Sequence, residues 1–348
     1  MEYKVSWAVY PGTRHLREEI PCQDCAMVLR GEETVCCALA DGAGSRSRSE
    51  LGADCVTQTV AALLSEHFEE LWAMEEAALS AMVIDHCVKA LGELEPPIYE
   101  LACTLLFCAA HRDGRYLAGH LGDGVMIQEK DGELSVFSPP ENGEYQNETY
   151  FITGPDAREH LRIRRGCWTE AGALLVMSDG TAESLYHYAD GVPAAACRTL
   201  AAWLRNGEED VISQALQSNL ERTFSRHTSD DMSLILLAWQ ECWENADSDD
   251  ENITDEAEDQ TDPEGEPDPA GDGDPMDPEG ETETAESEAW EFLGEMSTPL
   301  EAENWDILEG PEIPNGDMDW EVSGAQAGSD QCEVQKNAES GSAPLKEE

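Results

Sequence analysis

Apolar residues in the first 243 positions fall into short runs that alternate with two helical blocks. Runs such as KVSWAVY, CAMVLR and TVCCALAD are rich in valine and other apolar residues and are bounded by Gly, Glu or Pro, which is typical of β-strands. Between about residues 49 and 68, apolar side chains recur at helical spacing, at Ala53, Val56, Val60, Leu63, Leu64 and Phe68. A second helix is predicted from about residue 74 to residue 91.

A second group of predicted strands follows, in the segments CTLLFCAA, RYLAGHLG, VMIQEK, LSVFSP, TYFITG, LRIRRG and ALLVMSDG. Tight hairpins are predicted at Asp113–Gly114 and Asp131–Gly132. Two further helices, at about 194–205 and 209–225, precede a last strand, MSLILLAW. Strands that cluster apart from paired helices, without a β-α-β rhythm, predict an α+β fold built as an antiparallel sandwich.

The composition changes abruptly after Trp243. Of the 75 acidic residues, 36 lie in 244–348, together with only two of the 20 basic residues. Such a segment cannot bury enough apolar surface to offset its ordering entropy, so it is predicted to be disordered. We therefore expect a folded domain at 1–243 and an acidic tail at 244–348. Three acidic-aromatic patches in the tail are either docking motifs for a partner or chance spacing in a biased segment; they centre on Trp290, Trp305 and Trp320.

The net charge of −55 predicts basic partners and argues against nucleic acid, whose phosphate backbone would be repelled. No apolar run approaches the ~20 residues of a membrane span, and the N-terminal residues do not form a signal peptide. We therefore expect no membrane association and a cytoplasmic location. Most of the 12 cysteines lie in apolar segments, which favours reduced, buried thiols. The Cys22–Cys25 pair has no second pair at zinc spacing.

Carboxylates stand at the ends of five predicted core strands, at Asp24, Asp41, Asp123, Asp179 and Asp230. A single Asp-Gly at a strand end is usually only a turn. Five such carboxylates in one domain must be neutralised, because unpaired buried carboxylates are very costly. Nearby lysine and arginine residues are too few for this. Hard divalent cations, Mn²⁺ or Mg²⁺, bind oxygen ligands of this kind, so a metal centre is predicted.

At these residues the sequence resembles the metal-dependent protein phosphatases of type 2C, in the bacterial-type branch marked by His…CQD, ADGAGS, GDG, GEYxNET and SDG. The corresponding residues here are His15 with 22–24, then 40–45, 122–124, 143–149, 178–180 and 229–231. The resemblance spans about residues 1–240, with the motifs in family order. It implies an αββα sandwich, two antiparallel sheets flanked by helix pairs, with two metal ions at one edge of the sheets.

Roles for the aspartates follow from the resemblance, motif by motif. Asp41 would bridge both metals, and Asp179 and Asp230 would complete the first site. Asp24 and the carbonyl of Gly42 would serve the second metal, with Gln23 standing where other members have an acid. Asp123 matches the family residue that holds a third, weaker metal. Asp231 is the alternative to Asp230, because the doubled aspartate leaves the register open by one residue.

The activity that the resemblance implies is hydrolysis of phosphoserine and phosphothreonine on proteins by a metal-bridged water, without a covalent intermediate. A histidine would protonate the leaving oxygen as general acid, and His15, His111 and His120 are candidates. Many relatives grip the phosphate with an arginine five residues before the metal-binding acid, but Glu19 stands there. Arg14 and Arg17 are the candidate phosphate ligands instead.

The expected substrates are phosphorylated proteins, such as a Ser/Thr kinase or its targets. Two alternatives stay open: a catalytically inactive relative that uses the fold as a binding module, and a scaffold that acts through its acidic tail. The tail could also occupy the metal channel of its own chain and compete with phosphorylated substrates.

Overall fold

The computed structural model describes residues 1–143 and 149–241. Most of the GEYxNET motif, the acidic tail and its three Trp-centred patches lie outside the described residues. The predictions made for them, including the boundary at 243, are therefore not examined by the structure.

Ten of the strands form two antiparallel sheets of five. The first sheet consists of β1 (Glu2–Tyr10), β6 (Val125–Lys130), β7 (Glu133–Ser138), β9 (Gly172–Met177) and β12 (Met232–Gln240), in the order β1-β12-β9-β6-β7. The second consists of β2 (Cys25–Arg30), β3 (Thr34–Ala40), β4 (Leu105–His111), β5 (Arg115–Leu121) and β8 (Arg162–Cys167), in the order β2-β3-β4-β5-β8. A short hairpin pairs β10 (Tyr186–His187) with β11 (Val192–Pro193).

Two pairs of long helices cover the outer faces of the sheets. They are α2 (Ser49–Ala73) with α3 (Glu76–Leu91), and α6 (Ala196–Asn206) with α7 (Glu209–Arg222). Three short helices lie in connections: α1 (Thr13–Glu18), α4 (Ala157–His160) and α5 (Asp179–Leu185). Single 3-10 turns occupy Ile98–Leu101 and Phe224–Arg226.

Side-chain alternation along the strands creates three apolar layers. In β3, Cys36, Ala38 and Ala40 pack with α2 and α3, whereas the alternate residues, among them Leu39, face the other sheet. The first sheet packs on α6 and α7 in the same way. Successive residues of a strand point to opposite faces of the sheet. A strand whose two faces are both covered is therefore apolar along its whole length. The predicted αββα sandwich is confirmed.

Several elements differ from the predictions. Helix α2 continues five residues further than expected, through a kink at His67 (φ −127°, ψ 22°). The segment TYFITG is not a strand: only Thr149 forms an isolated bridge, and Ile152 is buried against the layer between the second sheet and its helices. Apolar residues there fill the core from a loop. Both hairpins are confirmed, with positive φ at Gly114, Asp131 and Gly132.

None of the helices in the described part of the chain has the length and apolarity of a membrane span. The ten cysteines within the described residues form no disulfide, and six of them are buried.

Candidate metal centre

Strand register brings the five aspartates to one edge of the sandwich. In the second sheet, Cys25 pairs with Ala40, so the start of β2 lies beside the end of β3. Asp24 and Asp41 are the residues next to that pair. Residues that flank a pair of adjacent strand ends lie at the same edge of the sheet. Asp24 and Asp41 therefore share a site although they are 17 residues apart in sequence.

The other sheet contributes from the same edge. Met177, the last residue of β9, pairs with Leu234 near the start of β12 and with Val125 at the start of β6. Asp179 and Asp230 adjoin these ends, and Asp123 lies in the turn that leads from β5 in one sheet to β6 in the other. The metal centre is thus built from both layers.

Three carboxylates converge closely. One oxygen from each of Asp41, Asp123 and Asp179 lies within 4.8 Å of the others, a group that can hold a metal ion. Asp230 is brought against Asp179 because Gly180 has no side chain: a Cβ there would lie 2.1 Å from the carbonyl oxygen of Asp231 and 3.4 Å from Cβ of Asp230. Any side chain at position 180 would separate the two turns.

Burial and mutual repulsion raise the pKa values of these carboxyls. Burial raises the pKa of Asp24 to about 8, although hydrogen bonds from Ser233 and Ser178 oppose the change. The pKa of Asp179 rises to about 7 through burial and the charges of Asp123 and Asp230. Burial, with Asp24 and Asp179 nearby, also raises the pKa of Asp41 well above its ordinary value. A cluster with such pKa values needs positive charge to be ionised at neutral pH.

That positive charge does not come from the side chains around it. Among residues 1–143 and 149–241, no lysine or arginine forms an ion pair with any of the five aspartates. In addition, Oδ1 of Asp24 and Oδ1 of Asp123 are buried without a hydrogen-bond partner among the described residues. Unpaired, buried oxygen donors suit a hard divalent cation, so the residues present fit such an ion.

The sequence model of the family described as Protein phosphatase 2C matches residues 11–231 of this chain. The chain belongs to the protein phosphatase 2C family. The match confirms the membership expected from the motifs, and it covers all the aspartates described above.

Individual relatives of this protein phosphatase 2C member are distant. Serine/threonine-protein phosphatase 3 of Escherichia coli (strain K12) is 27% identical over 260 residues, which cover 69% of this chain and 100% of the relative. Among solved structures, the catalytic domain of the serine threonine protein phosphatase PstP in complex with 2 manganese ions is 18% identical, with a TM-score of 0.48 over 68% of this chain and 98% of that one. RsbX in complex with magnesium is 16% identical, with a TM-score of 0.45 over 68% and 94%.

The doubled aspartate of this phosphatase 2C chain has two distinct environments. Asp231 is 3% exposed, and its oxygens accept hydrogen bonds from the main-chain nitrogens of Gly12 and Gln23, each at 2.6 Å. Its Oδ1 also lies 2.8 Å from Nδ1 of His15. Asp230 is exposed, and its charge acts on both Asp123 and Asp179. The oxygens of Asp231 are thus occupied by hydrogen bonds within the protein, and Asp230 stays the candidate metal ligand.

The other predicted residues are dispersed. His111 pairs with Thr34 at the opposite edge of the sheet, where it contacts Glu33 and Asp113. His120 is buried between Ser138 and Arg162, and burial lowers its pKa well below the ordinary value. Arg17 is exposed and pairs with Glu18. Of the candidate arginines and histidines, Arg14 lies beside the segment that follows Asp41, near Gly44, and His15 contacts Arg14.

Several supporting residues were missed by the sequence interpretation. The Thr149 hydroxyl donates to Asp123. Ser233 donates to Oδ2 of Asp24 at 2.6 Å, and Thr104 accepts from the main-chain nitrogen of Asp41 at 2.9 Å. Thr149, and Ser178, which also donates to Asp24, belong to the motifs named in the sequence analysis, so the sequence alone could have indicated them. Nothing in the alternation of β12 distinguishes Ser233 from an ordinary buried hydroxyl.

Proposed function

We propose that this chain, a serine/threonine protein phosphatase by family, hydrolyses phosphoserine and phosphothreonine on proteins at a centre of two divalent cations. The observation that carries the proposal is the convergence of the half-buried Asp41, Asp123 and Asp179 at one sheet edge without compensating lysine or arginine among the described residues. Mn²⁺ and Mg²⁺ are the cations whose ligand preferences suit this set of oxygens.

Each aspartate takes the role that its surroundings support. The charges of Asp24 and Asp179 both act on Asp41, which suits a ligand shared by two ions. Asp179 lies close to Asp41 from the first sheet, and the charge of Asp230 acts on Asp179 in turn. Asp24, with its free buried Oδ1, and the carbonyl of Gly42 would hold the second ion. Asp123 is the candidate for a third, weaker ion.

Divalent cations held by these carboxylates would lower the pKa of a bound water towards ~7 and would neutralise charge on phosphoryl oxygens. The side chains of the protein itself position the phosphoryl group and the metal-binding carboxylates. The Arg14 guanidinium, beside Gly44, is available to bind phosphoryl oxygens through two parallel hydrogen bonds. The serine hydroxyls of Ser178 and Ser233 hold the Asp24 carboxyl in one orientation.

Neighbouring thiols are unsuited to act as nucleophiles. Burial raises the pKa of Cys22, which also lies near Asp24 and Asp231, and burial raises the pKa of Cys25. The pKa of Cys103, near Asp41, is likewise raised. A thiol attacks phosphorus only as the thiolate. These neutral thiols support direct attack by water, without a phosphocysteine intermediate.

A protein segment has room to approach the site. A cleft of about 740 Å³ runs past Ala43 and Gly44, just after Asp41, and past Thr149, which contacts Asp123. Two acidic side chains, Asp156 and Glu159, line it as well. A phosphorylated protein chain, such as a Ser/Thr kinase or its target, is the substrate we propose, with basic residues near the phosphorylated one preferred.

The test is Mn²⁺-dependent release of phosphate from phosphoserine, phosphothreonine and phosphotyrosine peptides by the full chain. Asp41→Asn should lose at least about 10³-fold in kcat/KM, because it removes the shared ligand. Asp190→Asn, an exposed aspartate outside the cluster, is the matched control and should behave as wild type. Equal rates for wild type and Asp41→Asn would overturn the two-cation proposal.

A further inference from the structure

A series of hydrogen bonds connects the buried carboxylate of Asp231, through His15, to Arg14 beside the candidate metal centre. His15 is 3% exposed, and its Nδ1 lies 2.8 Å from Oδ1 of Asp231. Its other ring nitrogen, Nε2, lies 3.1 Å from Nη2 of Arg14. A guanidinium can only donate hydrogen bonds, so Nε2 of His15 must be the acceptor. With Nε2 as the acceptor, the ring proton is on Nδ1, which donates to Asp231.

Arg14, at the end of this series of hydrogen bonds, has no carboxylate partner among the described residues, so its charge is available to an anion. Within the described residues, Arg14 pairs with no carboxylate, whereas Arg17 pairs with Glu18 and Arg48 with Glu50. Its Nη2 would lie 3.6 Å from a Cβ placed on Gly44, in the segment that follows Asp41. Arg14 is therefore held at the rim of the carboxylate cluster with donors left for an anion.

Asp231, at the other end of this series of hydrogen bonds, lies next to Asp230 of the candidate metal centre. Asp231 accepts from the main-chain nitrogens of Gly12 and Gln23, so one carboxylate fastens both ends of the loop that carries Arg14. The main-chain nitrogen of Arg14 also lies 3.5 Å from the carbonyl oxygen of Ser229. Asp230, the candidate metal ligand, is the next residue along. The turn 229–231 thus positions a metal ligand and the arginine together.

We propose that His15 is a positioning residue: it holds the Arg14 guanidinium in place to bind the phosphoryl group of the substrate. The inference rests on the proposed function and adds a role that differs from proton donation. Nε2 faces Arg14 as an acceptor and has no proton to give to a leaving group. An arginine already held by an acceptor loses less side-chain freedom when phosphate binds, which strengthens phosphate binding.

Two substitutions at one position separate the two hydrogen bonds. In His15→Asn, the amide nitrogen replaces Nδ1 and can still donate to Asp231, while Arg14 loses its acceptor. In His15→Gln, the amide oxygen reaches the place of Nε2 and can still accept from Arg14. Both variants, with Arg14→Ala, are made in the full chain and loaded with Mn²⁺. Thermal unfolding is recorded for each, since loss of the Asp231 bond affects folding.

The readouts are kcat and KM on a phosphoserine peptide, and the affinity for inorganic phosphate from calorimetric titration. We expect His15→Asn to weaken phosphate binding and to raise KM by up to about tenfold, because an Arg14 side chain that is no longer held loses more freedom when phosphate binds. Its kcat should change by less than about threefold, and His15→Gln should retain most of the phosphate affinity. Arg14→Ala combined with His15→Asn should be no weaker than Arg14→Ala alone, because the histidine acts through the arginine.

Arg112→Ala is the control, an exposed arginine at the opposite edge of the sheet. If His15→Asn lowers kcat and leaves KM and phosphate affinity unchanged, the histidine is a proton donor and the inference is wrong. If phosphate affinity depends on Arg17 and not on Arg14, it is wrong as well. Should His15→Asn fail to fold, unchanged phosphate affinity in Arg14→Ala would equally overturn it. Phosphate titration is independent of turnover, so phosphate binding through Arg14 without any hydrolysis would instead overturn the proposed function.

Discussion

The carboxylate of Asp231 lies 2.8 Å from the imidazole of His15, although the two residues are 216 positions apart in the chain. Both residues are buried, at 3% exposure each. A buried carboxylate is tolerated only where its oxygens are satisfied, and here two main-chain nitrogens complete the set. The contact ties the first helix to the last strand at the point where the metal centre is assembled.

This pairing predicts opposite phenotypes for two adjacent aspartates. Asp231→Asn places an amide N–H against main-chain donors and should lower the free energy of unfolding by about 2–4 kcal/mol. Asp230→Asn should leave stability nearly unchanged and weaken Mn²⁺ binding by at least about tenfold. Denaturant unfolding and calorimetric Mn²⁺ titration distinguish them. The reverse pattern would identify Asp231 as the metal ligand.

A methyl group at position 12 should disturb the same turn. A Cβ on Gly12 would lie 2.3 Å from the carbonyl oxygen of Ser229 and 2.5 Å from the main-chain carbon of Asp230. Gly12→Ala must therefore shift the turn that carries Asp230, and we expect weaker Mn²⁺ binding together with lower stability. In Gly92→Ala the nearest atoms are at 3.4 Å, so this helix-end control should be neutral. Unchanged Mn²⁺ affinity in Gly12→Ala would contradict the expectation.

Metal binding should release protons near neutral pH. The pKa values of Asp24 and Asp179 are raised to about 8 and about 7, so both carboxyls hold protons that a cation must displace. Mn²⁺ affinity should then rise from pH 6 to pH 8 and level off above that. In the metal-free protein the sign is the opposite: the folded state binds more protons than the unfolded one, so these groups lower stability as pH rises through that range. Calorimetry in two buffers of different ionisation enthalpy counts the protons, and a count of zero at pH 7 would rule the linkage out.

His120 should make the domain sensitive to acid. Burial lowers its pKa well below the ordinary value, with the nearby Arg162 charge adding to the effect. The unfolded chain then takes up a proton below pH ~6.5 that the folded one does not, so stability falls as pH decreases. Between pH 7.5 and pH 5.5 the domain should therefore lose stability through this residue. Urea unfolding at both pH values should show a correspondingly smaller loss in His120→Gln; identical losses would exclude His120 as the source.

Removal of residues 244–348 should leave catalysis intact, since all the residues of the candidate centre lie within the described 1–143 and 149–241. Hydrolysis of a small aryl phosphate by the truncated chain should match that of the full chain. If the acidic tail competes with substrates, the truncated chain should also show a lower KM for a basic phosphopeptide at low salt, an effect that added salt removes. Loss of aryl phosphatase activity would give the tail a direct part in the enzyme.

The long, regular elements and the carboxylates at strand ends were predictable from the sequence. Apolar runs such as TVCCALA stand out because both faces of that strand are covered, and Asp41 follows it directly. The short helices α1 and α5 contain too few turns to show periodicity. The hydrogen bonds that occupy the Asp231 carboxylate come from the main chain of Gly12 and Gln23, which lie more than 200 positions away in sequence. Local patterns carry no information on such contacts.

The division of the aspartates between the two sheets has a mechanical consequence. Once ions occupy the centre, they cross-link two layers that are otherwise joined by side-chain packing, including the stack of Trp168 on Trp239 with ring centroids 3.8 Å apart. Packed interiors transmit small displacements. A substitution in that inner layer can therefore shift one sheet against the other and change the spacing of the carboxylates without altering a ligand. Activity should therefore depend on the alignment of the two sheets as well as on the ligands themselves.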